Sequence, residues 1–113
     1  MVHSYTVDEY LLFEPPDSPR PWPTVVLCPG RLGDRASLAW LAEPLAARGF
    51  LVCAITYPPE RRYLVHDPAQ VSTTADWLLA HDYVRDARLG VAGHSRGGAA
   101  ALLSAAHDAR FRA

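Results

Sequence analysis

Ser95 stands between two glycines in VAGHSRGGAA, residues 91–100, which contains the pattern Gly-x-Ser-x-Gly from Gly93 to Gly97. Two roles suit such a serine. Glycine supplies backbone freedom wherever a turn is tight, and the serine then has no task of its own. Alternatively, a sharp strand-to-helix turn strains the serine and lifts its hydroxyl above the end of a sheet, where it attacks a carbonyl carbon as a nucleophile. In that arrangement side chains at Gly93 or Gly97 would collide with neighbouring backbone. The helix that follows directs its positive end towards developing negative charge. The five-residue pattern is weak alone, and a strand before it and a helix after it are what strengthen it.

Acyl transfer also needs two backbone N–H groups aimed at one oxyanion. The amide of Arg96, directly after the serine, is one candidate. The other belongs to the turn-rich stretch CPGRLGD, residues 28–34, which follows an apolar run. Ligands of open parallel sheets bind at such strand ends, and Arg31, just after Gly30, is the expected donor.

A general base is harder to find. His107 lies about 18 Å along the helix from Ser95, at ~1.5 Å per residue, too far for the roughly 3 Å that proton transfer requires. His94 is expected to point away from the serine into packing. His66 and His81 flank a predicted helix, with His81 suited to its C-terminus, and His3 falls in a loose N-terminus.

The elements that must hold these residues are legible as periodicity. Tyr10 to Phe13 reads as an early strand, ended by the proline-rich EPPDSPRPWP, which marks a surface connection. Thr24 to Cys28 (TVVLC) and Phe50 to Ile55 (FLVCAI) are continuous apolar runs, as expected of strands buried on both faces. Residues 35–48 carry helical spacing interrupted by Pro44 and ended by Gly49. Asp67 followed by Pro68 predicts a helix start, with an apolar face from Val71 to Tyr83. Arg88 to Ala92 is a third strand, and AAALLSAAH a helix of small residues. The alternation of strand and helix implies parallel strands with helices on both faces: a three-layer α/β/α arrangement with a mostly parallel sheet.

The chain has 113 residues, half of them hydrophobic, and a net charge of −1. A single domain is typical at this length. Near-neutral charge leaves no electrostatic footprint for nucleic acid or an anionic membrane. All 11 basic residues are arginine, scattered along the chain, which reads as genome composition. The N-terminal sequence lacks the basic and apolar regions of a signal peptide, and no run reaches the roughly 18 apolar residues of a membrane span. Cys28 and Cys53 sit in predicted strands without metal-ligand spacing, as buried free thiols of a cytoplasmic protein would.

The segments TVVLCPGRLG, LAARGFLV and RLGVAGHSRGGAAAL resemble the central part of the α/β-hydrolase superfamily, in particular dienelactone-hydrolase-like and cutinase-like esterases. GHSRGG is also similar to the form found in plant chlorophyllases. CPGR stands where that superfamily more often carries an HG-type loop. The resemblance covers about residues 10–113 and implies Ser95 as nucleophile, the backbone amides of Arg31 and Arg96 as oxyanion donors, a small-molecule ester as substrate, and no metal or organic cofactor. Thioester, lactone and peptide substrates stay open.

In the superfamily an acid and then a histidine follow the serine, whereas here only His107 and Asp108 follow, adjacent and in reversed order. These residues are therefore expected to be the N-terminal part of a single α/β-hydrolase domain, truncated after the nucleophile helix, inactive alone, and with RLGVA left as an unpaired edge. A non-catalytic α/β-hydrolase-like binding module is the alternative. An ordinary α/β domain carrying the pattern by chance is the third possibility.

Overall fold

The computed structural model describes residues 1–30, 33–57 and 67–113. The two continuous apolar runs form the middle of its sheet. Strand β3 (Trp22–Cys28) lies parallel to β4 (Leu51–Ala54) on one side and to β5 (Val84–Gly93) on the other. Val25–Cys28 of β3 and Leu51–Ala54 of β4 are apolar without alternation because each face is covered by a different layer. Val26, Cys28, Leu51 and Cys53 pack against Val71, Ala75 and Leu78 of helix α2 (Asp67–Ala80) and Ala100 of helix α3 (Arg96–His107). Leu27, Val52 and Ala54 pack instead against Ala42 and Ala46 of helix α1 (Ala39–Ala47). Burial of a side chain such as Leu78, which is 0% exposed, stabilises the fold by about 1.5–3 kcal/mol.

The sheet is mixed rather than mostly parallel. Strand β1 (His3–Val7) forms an antiparallel hairpin with β2 (Tyr10–Glu14), and β2 runs antiparallel to β4, giving the order β1-β2-β4-β3-β5. Half of the four pairings are thus antiparallel. The reason lies in the connections. Asp8, at φ 54°, makes the tight reversal between β1 and β2. The proline-rich link from β2 to β3 then leaves a space between them that β4 fills. β1 also takes up His3, expected in a loose terminus; its side chains are mostly exposed, as suits an edge.

The helices keep their expected places with shifted starts. α1 begins at Ala39 rather than residue 35 and runs through Pro44. It closes with Gly49 at φ 104°, where Gly49 N–H reaches the Ala46 carbonyl and Phe50 N–H the Leu45 carbonyl. This is a Schellman closure, in which glycine takes the left-handed position. α3 begins at Arg96, three residues earlier than the alanine run suggests.

β5 is longer than the expected RLGVA. It shifts register against β3 between Trp22 and Thr24, with Asp86 and Ala87 at positive φ in the exposed excursion. Its outer edge is partly covered, not bare. Phe111 bridges Leu89 in parallel, Arg112 N–H donates to the Leu89 carbonyl, and Val91 N–H donates to the Ala113 carbonyl. Arg110 holds this segment in place, bonding Asp108, Asp76 and Ser72.

Candidate active site

The ends of β3 and β5 meet in register at Cys28 and Gly93, and His94 N–H donates to the Cys28 carbonyl at 3.2 Å. The chain must turn from there into α3 with almost no room. A Cβ on Gly93 would lie 2.1 Å from the Gly97 carbonyl oxygen, and one on Gly97 would lie 2.0 Å from the Cys28 carbonyl oxygen. Both contacts are to backbone, so neither can be relieved by turning a side chain. The two glycines are steric requirements of this turn.

Ser95 caps α3 at φ 56° and ψ −119°, a conformation that a residue with a side chain holds only when its surroundings over-determine it. Its own carbonyl accepts from the N–H groups of Gly98 and Ala99, and Gly97 N–H donates to the His94 carbonyl. The side chain makes no capping bond, and the residue is exposed. It opens on a groove of about 400 Å³ lined by Gly30, Gly33, Ser37, Leu38, Trp40, His94 and Ser95. A serine used merely as a helix cap would turn its oxygen onto the backbone; this one does not.

The upstream loop reaches the same place. A Cβ on Gly30 would stand 3.8 Å from that of Ser95. Its described residues are tied by Gly33 N–H donating to the Gly30 carbonyl, by Asp34 and Ser37 bonding each other's backbone and side chain, and by Arg35 N–H donating to Thr56 Oγ1. Arg31, the expected upstream donor, lies outside the described residues, as does His66.

Arg96 is the first residue of α3, and its side chain has a partner that sequence reading missed. Its Nε and Nη2 donate to the two carboxylate oxygens of Asp67 at 2.7 and 2.6 Å. The guanidinium also lies 4.4 Å over the Tyr57 ring. The Asp67 side chain is 0% exposed and that of Arg96 15%. The Asp67 hydrogen bonds hold the guanidinium pKa above its ordinary value. Asp67 is the first described residue of α2. Nothing in local spacing signals this pairing, because the partners lie 29 residues apart.

The histidines are distributed as follows. His94 is exposed and lines the groove beside Ser95 instead of entering the packing, with its Nδ1 near Gly30. His81 Nδ1 meets the Trp77 carbonyl at the end of α2, and His107 Nδ1 meets the Leu103 carbonyl at the end of α3. His3 lies against the Tyr5 ring. Among the described residues no histidine nitrogen bonds the Ser95 hydroxyl.

Cys28 and Cys53 are buried free thiols, and burial pushes the Cys28 thiol up to about 12 and the Cys53 thiol up as well. Both are protonated at neutral pH and poor nucleophiles. No group of residues suited to a metal ion occurs among the described residues, and none of their helices is long and apolar enough to cross a membrane.

Ser95 is thus a strained, exposed serine at a strand-to-helix turn, close to Gly30 at the end of the neighbouring strand. The family model described as PETase: PET hydrolase-like matches residues 10–113. The chain belongs to this family. It is 33% identical over 95 residues to Cutinase est1 of Thermobifida alba, covering 79% of this chain and 32% of that protein. It is 35% identical over 85 residues to bis(hydroxyethyl) terephthalate hydrolase of Streptomyces coelicolor, covering 72% and 27%. Cutinase 2 of Thermobifida cellulosilytica is 33% identical over 95 residues, covering 79% and 36%. The chain spans about a third of the length of the curated relatives it matches. The cutinase-like resemblance within the α/β-hydrolase superfamily is shown by these matches.

Proposed function

We propose that this chain is the nucleophile-bearing, N-terminal part of a carboxylic ester hydrolase that works through an acyl-enzyme on Ser95. The conformation of Ser95 carries the reading: a left-handed φ of 56° at the mouth of a groove, with its hydroxyl uncommitted to the helix. The names of the relatives, cutinases and a terephthalate ester hydrolase, support esters as the substrate class, taken as small molecules, without nucleic acid or membrane as partner.

In the proposed reaction the Ser95 oxygen attacks the ester carbonyl carbon and its proton passes to a histidine. The carbonyl oxygen becomes an oxyanion facing the backbone N–H groups of Arg31 and Arg96. Its collapse expels the alcohol, which takes the proton, and water then releases the acid by the same steps. The position of Gly30 against Ser95 supports the Arg31 assignment, and the start of α3 supports that of Arg96. The acid and histidine of the triad are assigned to residues outside these 113. In the same reading residues 1–113 belong to one three-layer α/β/α domain, supported by α1 on one face and α2 and α3 on the other. The two buried free thiols fit a cytoplasmic setting.

The test is turnover of a short-chain aryl ester by this chain and by the complete protein that contains it, each beside Ser95→Ala. Ser95-dependent turnover is expected only in the complete protein. Turnover in neither favours the alternative, a non-catalytic binding module, for which the one specific support is that no described histidine bonds Ser95.

A further inference from the structure

The strain at Ser95 needs something to hold it, and the backbone bonds around it account for only part of that hold. Gly97 and His94 tie the turn to itself and to the Cys28 carbonyl. The residue after the nucleophile, Arg96, which opens α3, is tied elsewhere. Its guanidinium is gripped in two-point fashion by Asp67, the first described residue of α2, and lies on Tyr57, which follows β4. α2 and the segment after β4 thus meet the turn through one side chain.

The geometry of this grip matters more than its charge. A planar guanidinium on a carboxylate fixes direction as well as distance, which a single-point ammonium contact does not. The Asp67 side chain is fully enclosed, so it has little freedom to follow if Arg96 moves. A buried pair of this kind is a doubtful source of stability, because removing two charges from water offsets most of their attraction. Conformational specificity is the use that remains, and the conformation in question is one residue away.

We infer that Asp67 is a positioning residue of the nucleophile turn: through Arg96 it holds the Ser95–Arg96 backbone in its strained orientation. The inference rests on the serine-hydrolase reading, since the orientation matters only if Ser95 attacks and the Arg96 amide receives the oxyanion. Asp67 itself touches no substrate. Displacement of reacting groups by about 1 Å lowers rates by about a hundredfold, so loss of the grip should act on turnover and not on substrate binding.

The experiment compares wild type, Asp67→Asn, Arg96→Lys and Ser95→Ala in the complete protein, on a short-chain aryl ester, with melting temperature and folded fraction measured for each. Asp67→Asn should lower kcat about ten- to a hundredfold with KM within about threefold of wild type. Arg96→Lys keeps the backbone amide and the positive charge, and should fall between the two. If Asp67→Asn does not fold, Arg96→Lys decides alone by its kcat. Activity lost by Ser95→Ala but unchanged by Asp67→Asn, or by Arg96→Lys where it decides alone, refutes the positioning role and leaves the hydrolase reading standing. So does a loss of activity that merely follows the folded fraction. Activity absent from wild type, or indifferent to Ser95→Ala, refutes the hydrolase reading, and the positioning role with it.

Discussion

Replacement of Gly97 by alanine separates a steric requirement from a mere preference for flexible backbone. The added Cβ would stand 2.0 Å from the Cys28 carbonyl oxygen and 2.5 Å from the Pro29 carbonyl oxygen, both backbone atoms at the end of β3. Carbon and oxygen in ordinary contact sit at about 3.4 Å or more, so α3 and β3 would have to separate by more than 1 Å. Ordinary overpacking costs about 1–3 kcal/mol, and a backbone-to-backbone clash of this depth belongs at or above the upper end. At roughly 4 °C per kcal/mol for a chain of this size, Gly97→Ala should melt about 12 °C below wild type. Gly98→Ala is the control. Its Cβ would meet nothing closer than 3.6 Å, and alanine favours a helix over glycine by about 1 kcal/mol, so it should melt at or slightly above wild type. Thermal unfolding followed by far-UV circular dichroism reads both. Equal melting temperatures for Gly97→Ala and wild type, or equal losses in the two variants, would refute the steric reasoning.

In the complete protein, Arg31→Ala keeps the proposed oxyanion donor and should retain most of the acylation rate, whereas Arg31→Pro deletes it and should lower kcat by about a hundred- to a thousandfold. Equal losses with folding intact would assign the effect to the side chain. The Arg110 hydrogen bonds hold the Asp108 carboxyl below its ordinary value of 3.8, so the stability it contributes is present above about pH 4 and is lost as pH falls through the lowered value. Asp108→Asn should therefore flatten the acid limb of a melting-temperature profile, and an unchanged limb would count against it. Within residues 1–113, Phe111, Arg112 and Ala113 pair with the outer edge of β5, so this chain shortened to residue 110 should self-associate more than residues 1–113 in sizing chromatography; an unchanged elution profile would show that the pairing protects nothing.

The parts of the fold legible in the sequence are those fixed by local chemistry. TVVLC and FLVCAI read as doubly covered strands because nothing polar interrupts them. Gly49 read as a helix end, and Gly93 and Gly97 as a cramped turn, because backbone constraints act at single residues. What escaped depends on partners distant in the chain. β1 is short and mostly exposed, so its pairing with β2 and the mixed character of the sheet leave no pattern to read. Asp67 followed by Pro68 looks like a helix start, and both lie in α2, but the Asp67 carboxylate serves Arg96 across 29 residues. His94, expected to point away from the serine into packing, is exposed in the groove, because the path of a tight turn is set by the backbone contacts between β3, β5 and α3.

The hydrogen bond from His94 to Cys28 and the grip of Asp67 on Arg96 also bear on when this site comes into being during folding. Each joins parts of the chain that must first be brought together at the entropic expense of closing a long loop. β3 has to be in place beside β5, and α2 docked, before either contact can form. A nascent or partly folded chain therefore carries the segment GHSRGG with an ordinary relaxed serine, and the strained conformation arrives only with the completed topology. Any reactivity at Ser95 would then report on folding itself: a covalent serine probe that labels the native protein should ignore the unfolded one.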